Sequence, residues 1–314
     1  MGRMTFVVRR LLMLIPVAIG VTIVVFFMIH LIPGDPARTI LGIHATPQRI
    51  ALLHKQWGLD RPLINQYWLF MDRLIHGNLG QSLYYGTSAA TIIFDRIAPT
   101  IWLIVYAAIL AVLVSVPLAT IAATRKDAVR DHVVRAVPLL GLGMPPFWVG
   151  ILLVYALAIK VRAFPVSGYG VGFLGHLHSM FLPALTVAIA LAPVVIRALR
   201  ASMLNVLGAE YITTARSKGV PASRLFLRHV LRNAVIPAVT VLGINIGFLI
   251  GGTVIIENIF AIPGIGQLMI NSIFQRDFPV VQGVTLVFGV LVVLVNLLAD
   301  LSYAALDPRV RFDR

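Results

Sequence analysis

Six stretches of this chain contain no lysine, arginine, aspartate or glutamate: residues 11–34, 97–124, 136–159, 163–196, 233–256 and 278–299. A hydrocarbon core of about 30 Å needs roughly 20 helical residues at 1.5 Å each, and every stretch meets that length. An ionised side chain at mid-bilayer costs about 2.5–3.5 kcal/mol on insertion scales, so charge in such a chain collects between the spans. Composition agrees: mean hydropathy is +0.93 and only 12% of residues are charged, against about 25% in soluble domains. The expected fold class is all-α and polytopic. Six transmembrane helices are predicted, at about 9–31, 98–123, 134–160, 180–204, 236–257 and 279–305.

A net charge of +14 invites a nucleic-acid reading, but its distribution argues for a membrane instead. With the N-terminus in the cytoplasm, segments 1–10, 125–135, 197–232 and 307–314 lie inside and hold 17 of the 26 Lys/Arg. The short outside segments hold only Lys160, Arg162 and Arg276. That asymmetry follows the positive-inside rule and puts both termini in the cytoplasm. Anionic membrane lipid is the expected partner of much of this charge, at about 1 kcal/mol per basic residue, and no nucleic acid is needed. Arg3, Arg9 and Arg10 precede an apolar run as in a signal peptide. The run is too long and no small-residue cleavage site follows, so it reads as a retained first span. The chain has no cysteine, which excludes disulfides, thiolate metal sites and cysteine nucleophiles.

Residues 1–32 form the N-terminal end and first span, 33–97 a small helical extracytoplasmic region, and 98–314 the core. Span 1 stops at Pro33-Gly34. In "TPQRIALLHKQWG", Thr46 is the expected N-cap, Pro47 the first helical position and Gly58 the stop. A second helix starts at Pro62 and ends at Gly77, with Leu63, Tyr67, Phe70 and Leu74 on one face. Pro117, Pro145, Pro146, Pro193 and Pro237 fall in or beside spans and read as bends for packing. Gly243, Gly247 and Gly251 recur every four residues, a surface for close contact with another span or a partner subunit.

No reacting constellation is present. "HExxH", "GxSxG" and the phosphate loop "GxxxxGK[ST]" are all missing, so neither catalysis nor ATP hydrolysis is expected of this chain, and no catalytic or metal-ligating residue is assigned. His176 and His178 read as solvated loop histidines and "GYGVG" at 168–172 as a turn. The polar residues in or beside spans are Asn245, Glu257, Asn258, Asn296 and Asp300. An intramembrane polar group is a functional candidate, and Asn245, Glu257 and Asn258 are assigned to a translocation path. Glu257 and Asp300 stand at span boundaries, within expected reach of water.

The concentration of charge at 210–233, "EYITTARSKGVPASRLFLRHVLRN", needs its own explanation. Gly219 and Pro221 end a short helix of about 209–218, and a second begins near Ala222. Tyr211, Ala215 and Lys218 share a face of the first; Arg224, Arg228 and Arg232 form a basic stripe on the second. Such a segment fits either a groove in another protein or a surface of anionic lipid.

This stretch resembles the cytoplasmic EAA loop of ABC-transporter permeases, in the form used by the dipeptide/oligopeptide/nickel permease family. The resemblance also covers "HLIPGDPA", "GLDRPLINQY", "GNLGQS", "GMPPFWVGILL", "RHVLRNAVIP", "GGTVIIENIFAIPGIGQL", "RDFPVVQG" and "NLLADLSYAALDPRVR". Thr213-Thr214-Ala215 stands for EAA, and Arg232 stands where the general pattern has proline; the proline comes later, at Pro237. What the resemblance implies is a type I ABC importer fold in the bacterial inner membrane, this chain being the first subunit of a permease heterodimer. The implied partners are a second permease subunit, two ATPase subunits that bind ATP and Mg, and an extracytoplasmic substrate-binding protein. By the same resemblance the coupling loop is 205–235, with Glu210, Tyr211, Thr214, Ala215, Arg216 and Gly219 contacting the ATPase. Short peptides are the expected substrate, with nickel complexes, glutathione or oligosaccharides as alternatives. A stand-alone secondary transporter would instead show repeated interrupted spans or a chain of intramembrane acids.

Overall fold

The computed structural model describes residues 3–31, 35–82 and 84–306, so Pro33-Gly34 and the basic end 307–314 lie outside the described residues. Helix α1 (Arg3–His30) is followed by a cap of α2 (Pro36–Leu41), α3 (Pro47–Trp57) and α4 (Leu63–Ile75). The bundle then runs through α5 (Ala89–Thr124), α6 (Val129–Gly143), α7 (Pro146–Leu153), α8 (Gly172–Ser179) and α9 (Phe181–Leu207). Two short helices, α10 (Glu210–Ser217) and α11 (Ala222–Leu225), lead into α12 (Arg232–Ile259), α13 (Ile265–Phe274) and α14 (Phe278–Leu306).

Five of these rods are long and apolar enough to cross a membrane: α1, α5, α9, the continuous α11–α12 rod and α14. The third expected span, 134–160, is not one continuous helix. Met144 and Pro145 each precede a proline and are extended, with ψ of 130° and 133°, as the clash with the following proline ring requires. Helix α6 therefore stops at Gly143, α7 restarts with Pro146 at its first position, and wide π-helical turns carry the chain to Lys160. The tandem prolines convert the pass into a broken rod. Helix α5, by contrast, starts earlier than the charge-free stretch. Its 36 residues span about 54 Å at 1.5 Å per residue, so it projects beyond the bilayer core.

Small residues govern how the rods meet. Ala107, Ala111, Ser115, Ala119 and Ala123 repeat every four residues along α5, and all are buried. That strip lets α9 approach closely; there Leu191, Val195 and Leu199 pack against it, and Ser115 Oγ donates to the Ala192 carbonyl at 3.4 Å. Of the glycine repeat on α12, Gly243 abuts Ala299 and Gly247 faces Asn296 on α14, whereas nothing lies within 4 Å of a side chain built at Gly251. Two of the three glycines thus serve a contact inside this chain. Outward-facing apolar residues such as Val24, Leu113, Phe248 and Leu298 are each more than 60% exposed. Such faces suit lipid or a membrane-embedded partner.

The cap forms as its sequence signals require. Thr46 Oγ1 accepts from the Arg49 N–H at 3.3 Å, Pro47 opens α3, and Gly58 ends it in the left-handed region at φ 65°. Tyr67 and Phe70 of α4 pack on Phe26 of α1, with ring centroids 5.4 and 6.0 Å apart. Leu63, expected on the same face, is instead exposed. Gln66 is buried and links three segments: its Oε1 lies 2.9 Å from His30 Nε2, and its Nε2 donates to the Leu59 and Arg61 carbonyls.

Candidate functional site

Helix α10 begins after Ala209, whose extended backbone turns the chain off the end of α9. It ends in a complete Schellman motif: Val220 N–H bonds the Ala215 carbonyl at 3.2 Å and Gly219 N–H bonds the Arg216 carbonyl at 2.9 Å. This closure puts the residue after the C-cap in the left-handed region; Gly219 is there, at φ 75°. Val220 and Ala215, the residues at either end of the longer bond, both pack on the apolar cluster at this end of the bundle. Pro221 then starts α11.

Ile212 is the anchor. It is fully buried in the cluster that contains Leu199, Met203, Leu225 and Val230. Helix α10 is therefore fastened along one side to α9 and the α11–α12 rod, and its other side is open. Of the six residues assigned to partner contact, Glu210, Thr214, Arg216 and Gly219 are exposed. Tyr211 is 42% exposed, and its hydroxyl accepts from Asn233 Nδ2 at 3.2 Å, which ties α10 to the start of α12. Ala215 is half-buried against the cluster. The face shared by Tyr211 and Ala215 is thus turned in part toward the bundle, while Lys218 is exposed at the C-cap. Thr214 Oγ1 bonds back to the Glu210 carbonyl at 3.1 Å and Ser217 Oγ to that of Thr213 at 3.2 Å, so these hydroxyls smooth the outer face. A π-helical stretch, Phe226–Leu231, joins α11 to α12, and Arg224 before it, Arg228 within it and Arg232 after it are all exposed.

The three polar residues assigned to the path do not converge. Asn245 Nδ2 bonds the Val241 carbonyl at 2.7 Å and Asn258 Nδ2 that of Val254 at 2.8 Å, each one turn back on its own helix. Thirteen residues apart, they sit roughly 20 Å from each other along α12 and on different faces. Glu257 departs most from expectation: rather than being reached by water, it is fully buried. Its Oε1 accepts from Thr100 Oγ1 of α5 at 2.6 Å and its Oε2 from the Gln267 N–H at 2.9 Å. Thr100 Oγ1 in turn accepts the Ile265 N–H at 3.0 Å. Acceptors are thereby supplied to the free N–H groups at the start of α13, where a carboxylate is also favoured by the helix dipole. A Cβ at Gly264 would lie 2.6 Å from Thr100 Oγ1, and one at Gly266 would lie 2.9 Å from Glu257 Oε2. Glycine at both positions gives the carboxylate its room.

His176 and His178 lie on α8 rather than in a loop. His176 stacks on Tyr169 at 3.9 Å between centroids with Nδ1 2.9 Å from the Tyr169 carbonyl, and His178 Nε2 is 3.0 Å from the Ala163 carbonyl. The segment before them is irregular, with Gly168, Gly170 and Gly172 all at positive φ, as the reading of a turn required.

Two features at these sites have no counterpart in the sequence reading. Ile212 and Asn233 fix α10 in place; Ile212 stands out only as the one large aliphatic residue in "EYITTARSK". Asp131, in the first turn of α6, is fully buried and receives both Arg200 Nε at 2.7 Å and Nη2 at 2.6 Å. The Arg200 guanidinium holds its carboxyl below the usual carboxylate range. An acid inside a basic segment was a legible signal that an arginine partner lay nearby.

Comparison with known proteins agrees with this architecture. Residues 115–312 match the family described as binding-protein-dependent transport system inner membrane component, and residues 3–103 match the N-terminal region described for such membrane components. The chain is 37% identical over 309 residues to the glutathione transport system permease protein GsiC of Escherichia coli, covering 98% of this chain and 99% of that protein. It is 38% identical to GsiC of Salmonella choleraesuis over the same length. Among solved structures, inward-facing MetNI methionine ABC transporter aligns with a TM-score of 0.58 at 14% identity, over 69% of this chain and 96% of that one. An amino acid ABC transporter aligns at 0.51 and 15% identity, over 68% and 94%. At these identities the two structures speak for the fold alone. A chain matched from end to end in this way belongs to the family of inner membrane components of binding-protein-dependent transport systems, as a multi-pass ABC importer permease.

Proposed function

We propose that this chain is the first of two permease subunits in an importer of short peptides, of the size class that includes glutathione. The observation that carries this reading is the 37% identity to a glutathione permease along 98% of the chain. That likeness favours glutathione, itself a tripeptide and the alternative to di- and oligopeptides in the expected range. A soluble binding protein would deliver the peptide to the cap side. Two ATPase subunits, holding ATP and Mg, would sit at the basic end, which the positive-inside rule places in the cytoplasm with both termini. Glu210, Thr214, Arg216 and Gly219 present the ATPase contact; Tyr211 and Ala215 support it from behind. Asn245 and Asn258 stay assigned to the path, and Glu257 acts on it by holding α13.

The test is uptake into proteoliposomes carrying this chain, its neighbouring permease, the ATPases and the binding protein. Labelled dipeptide, tripeptide, glutathione, nickel complex and oligosaccharide are offered in parallel. ATP-dependent accumulation of the peptides is the expected result. Saturable uptake of nickel or oligosaccharide alone would overturn the substrate class. Uptake by this chain alone, driven by an ion gradient without ATP, would overturn the importer reading.

A further inference from the structure

At the basic end of the bundle a notch of about 190 Å³ opens between α6 and α9. Its walls are apolar, from Val134, Pro138, Pro193 and Ile196, and its rim carries Arg135, Arg197 and Arg200. We propose that this notch binds the headgroup of an anionic phospholipid.

Arg200 is pre-set for the task. Asp131, fully buried beneath it, engages Nε and Nη2 in a two-point pair. A guanidinium has five N–H donors, so three remain to reach into the notch. Arg135 stands beside the same carboxylate, Nε 3.6 Å from Oδ1, with Nη2 2.7 Å from His132 Nδ1. Arg197 is exposed and pairs with no acid among the described residues. Three positive groups therefore face one negative group, and the negative group is shielded below. The surplus suits a phosphate, whose oxygens match the arginine fork.

The position selects a lipid over a free anion. Arg135 immediately precedes the charge-free stretch 136–159 and Arg197 immediately follows 163–196, so both stand at the basic end of the charge-free part of their rods. Lipid phosphates lie at that level, and basic pockets between membrane helices on that side suit acidic headgroups. From the notch an exposed apolar strip, Val133, Val137 and Leu140, runs along α6 toward mid-membrane and offers an acyl chain a bed. A soluble anion would have no use for it. The inference needs the chain to lie in a membrane but does not depend on the peptide assignment.

The test uses the assembled transporter, delipidated in mild detergent and re-exposed to phosphatidylglycerol, phosphatidylcholine or inorganic phosphate, with bound lipid counted by native mass spectrometry. The wild-type complex is expected to retain phosphatidylglycerol selectively. In Arg135→Gln/Arg197→Gln, with Arg200 and Asp131 left in place, retention is expected to fall by roughly ten- to thirty-fold. The control pair Arg224→Gln/Arg228→Gln removes the same charge from the basic stripe outside the notch and is expected to retain the lipid. Three results would overturn the proposal: equal retention by the notch variant and wild type, equal loss in the control, or competition by inorganic phosphate at concentrations that match the lipid. A cross-link from Val137→Cys to the second permease subunit would also overturn it, because the strip would then be a subunit contact.

Discussion

Gly219 sits at φ 75° with nothing within 4 Å of the place a side chain would occupy. A substitution there meets no internal clash, so its effect comes from the backbone or from a partner. A left-handed residue with a Cβ costs roughly 1–2 kcal/mol, and asparagine tolerates the conformation better than others. Gly219→Asn is therefore expected to keep ATP hydrolysis coupled to uptake, while Gly219→Val opens the Schellman closure and uncouples them. The readout is the ratio of peptide transported to ATP hydrolysed in proteoliposomes, with amide exchange at Val220 reporting the closure. Asparagine as damaging as valine would mean that the bare surface, not the turn, is required. Glu257 belongs to the same scale. Glu257→Ala leaves the Thr100 hydroxyl and the Gln267 N–H without their acceptor, at about 1–3 kcal/mol for each buried group. Glu257→Gln retains one acceptor and is expected to fall between, as read by thermal unfolding of the detergent-solubilised complex. The glycine stop was legible in "SKGVP" because a helix end is local chemistry. The burial of Glu257 was not, because its partner Thr100 lies 157 residues away in the chain.

Whole elements show the same division. The caps of α3 and the start of α11 were written in short spacings, and they folded as spacing requires. The break between α6 and α7 was only half legible: Pro145 and Pro146 were visible, but a charge-free run gives no sign that a pass has become two rods. The alanine and serine strip on α5 could have been found from its four-residue repeat, which a reading focused on charge passes over. In the cap, one prediction concerns pH. His54 is pinched between Asp35, 2.9 Å from its Nε2, and Asp60, 3.0 Å from its Nδ1. Its hydrogen bonds to Asp35 and Asp60 hold its pKa above the ordinary histidine value. A raised pKa stabilises the folded cap fully below about pH 6.5, and that contribution is lost as pH rises through the folded value. Protection of α3 amides, corrected for intrinsic exchange, is expected to fall on going from acidic to mildly alkaline buffer. The dependence should vanish in His54→Asn; a protection curve unchanged by that substitution would remove His54 from the account.

On the scale of the whole molecule, α13 packs against α5, α12 and α14, and α10 leaves its outer face exposed at the basic end. Glu257 and Thr100 fasten α13 to α12 and α5, while Ile212 and Tyr211 fasten α10 to the start of the α12 rod. The same rod, α12, thus joins the helix proposed to meet the ATPases to α13. A push on α10 has a continuous packed route to α13, through groups that hold both ends. We propose accordingly that α10 is the ATPase contact and that α12 carries its motion. The chain has no cysteine, so single cysteines can be placed freely. Thr214→Cys and Arg216→Cys on the open face of α10, and Arg224→Cys on the basic stripe, are labelled with a soluble maleimide in the complex with and without its ATPases. The account predicts that the ATPases protect positions 214 and 216 and leave 224 reactive. Equal labelling of all three in both preparations would contradict it.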